Sequence, residues 1–215
     1  MLRSPYAHAR IARLDPSAAV DLPGVVGVLA GDDVVALSRP FPAGIDSPVP
    51  HYAAAHEVTR YVGEPVAVVV AKDRYLAEDA LEVIEVEYEP LEPVLDAETA
   101  VDTDACVSDR SFSYGDVDSA FAGADLVLSE RFRFPRWSCT PVECYGVVCD
   151  WNAAESSLTA WANFQGPFTL HSVAAGALGL PGAKLRLITP PDSGGSFGIK
   201  SAVFSYVVLM LREKT

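Results

Sequence analysis

Basic residues are scarce in this chain. Only 16 of its 215 residues are Lys or Arg, against 29 Asp or Glu, which leaves a formal net charge of −13. A deficit of that size argues against nucleic acid, whose binders carry basic faces, and against electrostatic attraction to anionic membranes. It leaves a small substrate open, because the field at one pocket need not follow the net charge. Cysteine is scarce too. Cys106, Cys139, Cys144 and Cys149 are the whole set, too few for a disulfide-built domain. No CxxC occurs. The even spacing of the last three would put Cys139 and Cys149 on one face of a strand and Cys144 on the other. That is a poor metal constellation, so buried, reduced thiols are expected. No apolar stretch reaches the roughly 18 residues a membrane span needs, and the run over 202–211 is interrupted by Ser205. No secretory leader pattern opens the chain, so a reducing cytoplasm is the expected location.

What is present is an ordinary globular balance: half of the residues are hydrophobic and 21% are charged, enough for one large domain or two small ones with a buried core. Residues 8–14 alternate as a strand does, and 17–20 can form a short helical turn. VVGVLAG reads as a buried strand, and Gly31, Asp32 and Asp33 as a turn. Residues 38–57, rich in Pro, Gly and Ser, form a long loop holding His51 and His56. These histidines could be ligands or acid–base groups, and solvated loop histidines are the plainer reading. VAVVVA at 66–71 is a strand, Asp73 caps a helix over 74–81, and 84–89 alternate apolar and acidic residues as a half-buried edge strand does. The order over 66–89 is β-α-β with a short crossover. Residues 90–112 have little periodicity and mark a boundary. The division expected is 1–100, a linker at 101–112, and a second unit at 113–215. Beyond it come a capped short helix over 119–124, strands at 126–134, 145–151 and 158–162, and a helix over 168–177 closed by Gly179.

The most informative stretch is LITPPDSGGSFGIKS at 187–201. It reads as strand, glycine loop, helix. Glycines in such a loop let backbone amides approach an anionic ligand, and Phe197 puts one bulky wall beside a bare backbone. The spacing is not that of a P-loop, GxxxxGK(S/T): Gly198 follows Gly194 too closely, and Ile199 separates it from Lys200. It is not the GxGxxG dinucleotide fingerprint either, and no acidic partner follows about 20 residues on. A nest of amides that cradles a phosphate or an oxo group remains open. The apolar segment after the loop, AVFSYVVLMLR, would be an exposed helix. The chain stops just beyond it, so a piece of a larger assembly is expected.

RSPYAHARI, YVGEPVAVVVAKDRYLAEDALEVIEVEYEPLEPV and NFQGPF followed by LGLPGAKLRLITPPDSGGSFGIK occur in this order across almost the whole chain. In this it resembles the large, molybdopterin-binding subunit of the xanthine dehydrogenase, aldehyde oxidase and aerobic carbon monoxide dehydrogenase family of molybdenum hydroxylases. The resemblance implies an α+β fold: an α/β hammerhead domain, then the first, incomplete part of a molybdopterin-binding α+β domain. It places the family's oxo-binding glutamine on Gln165, whose neutral amide donates without displacing a metal ligand. It places the family's GGGFGGK on Gly194, Gly195, Ser196, Phe197, Gly198, Ile199 and Lys200, with Phe197 shaping the substrate pocket. There are departures. Ser196 and Ile199 stand where glycines are usual, and a Cβ at either would narrow the pocket or shift the loop. Ser201 replaces a glutamate that contacts purines. An M-E-P-R-like stretch appears as Val142, Glu143, Cys144 and Tyr145.

The chemistry implied is hydroxylation of an aldehyde, an N-heterocycle or carbon monoxide with water-derived oxygen. Electrons would leave through the pterin to 2Fe-2S clusters and FAD on partner subunits. The pterin would be the cytosine dinucleotide form. No catalytic residue is expected within these 215, because the family's glutamate base lies further along a longer chain, and the isolated chain is expected to be inactive. A non-catalytic scaffold derived from the same family is the alternative, and a generic acidic α/β domain holding a small anion is a third.

Overall fold

A computed structural model of the chain describes residues 1–42, 49–101, 103, 108–135, 140–202 and 205–208. Its first half builds two small sheets. Strand β1 (Leu2–Arg3) is followed by β2 (Ala9–Asp15), helix α1 (Ser17–Val20), β3 (Val25–Ala30), helix α2 (Gly31–Leu37), β4 (Val58–Thr59), β5 (Pro65–Ala71), helix α3 (Arg74–Glu82) and β6 (Glu85–Pro90). One sheet has the order β1-β5-β3 and the other β4-β2-β6, with every pairing antiparallel. The apolar run of β5 is central because both its faces are covered: Val66 and Ala67 have no exposed surface. Asp73 caps α3, its carboxylate accepting from Leu76 N at 3.0 Å.

Two expectations for this half change. Residues 31–33 open a helix rather than a turn, because the Asp33 carboxylate accepts from Ala30 N at 2.8 Å and acids suit a first helical turn. The β-α-β order of 66–89 holds, but its crossover within one sheet does not, since β5 and β6 lie in different sheets. Beside β5 the glutamates of β6 would be covered on both faces. On the open edge of the other sheet they meet arginines of β2, Arg10 with Glu89 and Arg13 with Glu85 and Glu87. The described part of the long loop carries no helix or strand of its own; Phe41, Ala53, Ala54 and Ala55 in it are buried, while His51 is exposed and His56 half-buried. His51 lies edge-on to Phe41, and His56 sits 2.7 Å from Asp32.

The second half begins with helices α4 (Ala97–Ala100) and α5 (Val117–Ala122), the latter capped by Asp116, which accepts from Ser119 N. Residues 126–134, expected as a strand, pair with no strand among the described residues, and 126–135 are exposed throughout. β-Propensity alone does not make a strand where no neighbour satisfies its backbone groups. Then come β7 (Val147–Asn152), β8 (Ser157–Ala162), helix α6 (Pro167–Leu178), a 3-10 turn (Gly182–Lys184), β9 (Leu185–Ile188) and a second 3-10 turn (Ile199–Ala202). The sheet order is β7-β8-β9. β7 and β8 are antiparallel, while β8 and β9 are parallel and joined through α6. Among the described residues, this is the β-α-β unit with parallel strands in one sheet. Pro at the first turn of α6 and left-handed Gly179 at its end delimit the helix as such residues commonly do.

One apolar core spans both halves. Val34, Phe41, Ala54 and Val68 pack with Leu158, Leu170, Ala174 and Leu178. Residues 205–208 are helical, and Val207 and Val208 are buried in that core. This part of the segment after the glycine loop is therefore not the exposed apolar helix expected from sequence; residues 203–204 and 209–215 lie outside the described residues. Cys106 and Cys139 also lie outside them. Cys144 is exposed rather than buried, and Cys149 is half-buried with its thiol pushed up to about 11 by burial.

Candidate functional site

The strand directions of the last sheet bring three loops to one edge. Val147 at the start of β7 faces Ala162 at the end of β8, and Trp161 faces Ile188 at the end of β9. The lead-in at 141–146, the turn at 163–166 and the glycine loop at 189–198 therefore converge. Outside the carboxyl ends of parallel strands is where open α/β sheets place ligands.

Gln165 is exposed in the turn before α6, next to Gly166, which is left-handed with φ 67°. Two hydrogen bonds tie it to the glycine loop. Its backbone N donates to Lys200 O at 3.3 Å, and its side-chain Oε1 accepts from Gly198 N at 2.7 Å. An amide N–H can only donate, so the oxygen of the side chain must face it. That orientation leaves the Gln165 Nε2 as a directed donor.

The loop itself holds three residues of positive φ. Gly195 and Gly198 are left-handed with φ 87° and 94°, and Phe197, between them, has φ 49°. That conformation strains a residue with a side chain. The Phe197 ring folds back so closely over Gly195 that a Cβ there would lie 3.1 Å from it, yet 70% of Phe197 is exposed. Ser196 and Ile199 have no positive φ, so their side chains are carried without backbone strain. Gly194 N donates to Glu143 at 3.0 Å, and Ile199 N donates to Ser196 O. Among the described residues, the N–H groups of Gly195, Ser196 and Phe197 have no acceptor within the chain.

Beneath the loop lies a link that sequence reasoning did not make. One oxygen of Glu143, Oε2, accepts from Gly194 N, from Asn163 Nδ2 at 3.0 Å and from Lys200 Nζ. Lys200 has no exposed surface. The lysine, then Asn163 and the Gly194 amide, hold the Glu143 carboxyl down to about 2. Two signals were in the sequence. Glu143 survives where its neighbours depart from the expected stretch, and Lys200 closes the glycine motif. Nothing local paired them. Next to this link, Tyr145 stacks on Tyr206 with hydroxyls 2.8 Å apart, and Arg3 reaches Tyr206 at 3.0 Å and Gly63 O at 2.7 Å. Burial, then the bond to Tyr206, pushes Tyr145 up to about 12. An open groove of about 530 Å³ runs beside the loop, lined by Glu143, Cys144, Trp161, Asn163, Ile188 and Pro190 among others.

Just over half of the chain, residues 100–213, matches the molybdopterin cofactor-binding domain, and residues 1–92 match the a/b hammerhead domain of aldehyde oxidase and xanthine dehydrogenase. The chain belongs to this molybdenum hydroxylase family. It is 34% identical to the nicotine 6-hydroxylase large subunit of Paenarthrobacter nicotinovorans, over 97% of this chain and 27% of that one. It is also 34% identical to the carbon monoxide dehydrogenase large chain of Afipia carboxidovorans, over 95% of this chain and 28% of that one. Among solved structures, it superposes on quinoline 2-oxidoreductase from Pseudomonas putida with a TM-score of 0.81 and 34% identity, covering 98% of this chain and 29% of the other. The chain thus spans a little over a quarter of the length of the relatives it matches. The fold is the α+β arrangement expected: a hammerhead domain followed by part of a molybdopterin-binding domain.

The residues present fit the cofactor of this molybdenum hydroxylase family. Three unused amide donors and the directed Gln165 Nε2 suit an oxygen-rich group. Beside Gly198 a Cβ would meet nothing within 4 Å, so bare backbone faces open space. Among the described residues, no group of three or more His, Cys, Asp or Glu side chains is placed to hold a metal ion. What this edge offers is donors to a ligand. No helix among the described residues is long and apolar enough to cross a membrane.

Proposed function

We propose that these residues form one wall of the cofactor site in the large subunit of a molybdenum-dependent oxidoreductase. Its substrate class is an aldehyde, an N-heterocycle or a carbon monoxide-type small molecule, hydroxylated with water-derived oxygen. The observation that carries this reading is the orientation of Gln165: Gly198 N fixes its Oε1 and leaves Nε2 to donate. The cofactor, when bound, supplies activation of water and the two-electron acceptor. Gln165 then donates to an oxygen of that group and orients it. The amides of Gly195, Ser196 and Phe197 would donate to neighbouring oxygens, Gly198 keeps the backbone bare at the approach, and Gly194 lets the loop sit against Glu143. Phe197 stands over the loop as the aromatic side of the substrate pocket and excludes water from it. No residue of this chain is assigned as the catalytic base. The molybdopterin is read as the cytosine dinucleotide form, with 2Fe-2S and FAD subunits and the rest of the large subunit as partners, in the cytoplasm. The same reading divides the chain into units at 1–100 and 113–215, joined by 101–112.

Substitution at Gln165 tests this. In the complex purified from its own cell, Gln165→Ala should lower dye reduction about 10²-fold or more, the scale on which one oriented donor acts, across a panel of aldehydes, pyridines, purines and carbon monoxide. Full activity in that variant, or wild-type complex free of molybdenum and pterin, would remove the basis of the reading.

A further inference from the structure

We infer that Glu143 and Lys200 are positioning residues: a buried clamp that sets the glycine loop and, through it, the donor of Gln165. Lys200 acts at two points. Its Nζ, fully buried, reaches Glu143, and its backbone oxygen accepts from Gln165 N at 3.3 Å. Glu143 acts at two more. Its Oε2 takes Gly194 N at the start of the loop and Asn163 Nδ2 at the end of β8. Asn163 Nδ2 also donates to Cys144 O at 2.9 Å, which fixes the lead-in segment that carries Glu143. The loop is therefore held at Gly194 by the glutamate and at 200 by the lysine, and the five residues between the two points include Gly195, Ser196 and Phe197, whose N–H groups have no acceptor among the described residues. The fit is close on the glutamate side. A Cβ on residue 194 would lie 2.6 Å from the Glu143 Cβ, so a glycine is needed there to let the backbone reach the carboxylate. Phe197 pays a strained φ of 49° within this span, and such strain persists only where the surroundings over-determine it. The clamp supplies that determination.

The two partners are not equivalent. Glu143 without Lys200 keeps two donors and is partly exposed, 36% by side chain. Lys200 without Glu143 is a wholly buried ammonium with no carboxylate, the costlier loss. Three variants follow: Lys200→Met, Glu143→Gln and the double variant, with Val66→Ala in the core of β5 as a control for general destabilisation.

The experiment is hydrogen exchange by mass spectrometry on the protein as purified from its own cell, with molybdenum per chain and the Mo(V) electron paramagnetic resonance spectrum measured on the same samples. Lys200→Met should raise exchange over 193–199 about tenfold and leave β5 unchanged. Glu143→Gln should raise it further, and the double variant should return to the Lys200→Met level. The Mo(V) signal should change in Lys200→Met in the same sense as in Gln165→Ala and stay unchanged in Val66→Ala, because only the clamp variants move the Gln165 donor. Unchanged exchange over 193–199 in Lys200→Met, or a double variant as mobile as Glu143→Gln, overturns the clamp. The spectroscopic arm rests on the cofactor reading, while the exchange arm does not. Wild-type protein without molybdenum therefore defeats that reading and leaves exchange to decide the clamp.

Discussion

Glu143 gathers three donors on one carboxylate oxygen, and its proton affinity follows from that. Its carboxyl stands at about 2, below the ordinary 4.5. A group whose folded value is depressed contributes stability above its unfolded value and loses it as pH falls through the folded one. The order of the glycine loop should thus be complete above about pH 4.5 and fall away between there and about 2. Fluorescence of the tryptophans, of which Trp161 lines the adjacent groove, measured from pH 6 to 2 should show a transition in this window that Glu143→Gln lacks. A transition of equal size in the variant would assign the acid sensitivity elsewhere. The sequence showed each residue of this group separately. Gln165 and the glycines were legible from motif order. The junction between Glu143 and Lys200 was not, because the two are 57 positions apart and neither carries a local signal for the other.

At the scale of elements, capping and backbone contact rank differently. Asp73 satisfies one amide at the start of α3, and its loss costs about 1 kcal/mol. Gly31 at the start of α2 touches the chain itself: a Cβ there would lie 1.9 Å from Ala55 O. Ala55 N in turn donates to Pro65 O at 2.7 Å, so the neighbour has little room to withdraw. Gly31→Ala should cost about 3 kcal/mol, the upper end for overpacking, and urea denaturation should place it well below Asp73→Ala. Equal midpoints would mean that Ala55 yields. The cap at Asp73 was legible because it needs only three consecutive residues. The helix at Gly31 was misread as a turn because its capping bond, from Ala30 N to Asp33, competes with the turn tendency of Gly and Asp.

At the scale of the molecule, the two family segments share one core. Val34, Phe41 and Val68 pack with Leu158, Leu170 and Leu178, and Arg39 N donates to Ala177 O at 2.8 Å. Within the second of them, residues 109–135 are exposed throughout. Trypsin should therefore cut first at Arg110, Arg131 or Arg133, and the two fragments should still co-elute in size exclusion, separating only in denaturant. Fragments that separate in native buffer would show that the shared core does not hold them. The composition shift over 90–112 suggests a boundary in the sequence but says nothing of the packing between the segments on either side of it.

The sequence by itself determined the local parts: the alternation of β6, the buried run of β5, the cap at Asp73, the closing Gly179 and the glycine loop with its family motif. Each depends on residues within a few positions of one another, where periodicity and side-chain chemistry act directly. Only the tertiary structure decided which strands pair, why 126–134 form no strand, that Val207 and Val208 turn inward, and that one buried lysine anchors the loop carrying Gln165's partner. Those outcomes depend on which distant segments meet. A strand's edge, a charge's partner and a face's cover are set by the neighbour that satisfies them, and that neighbour is fixed by the packing of the whole chain.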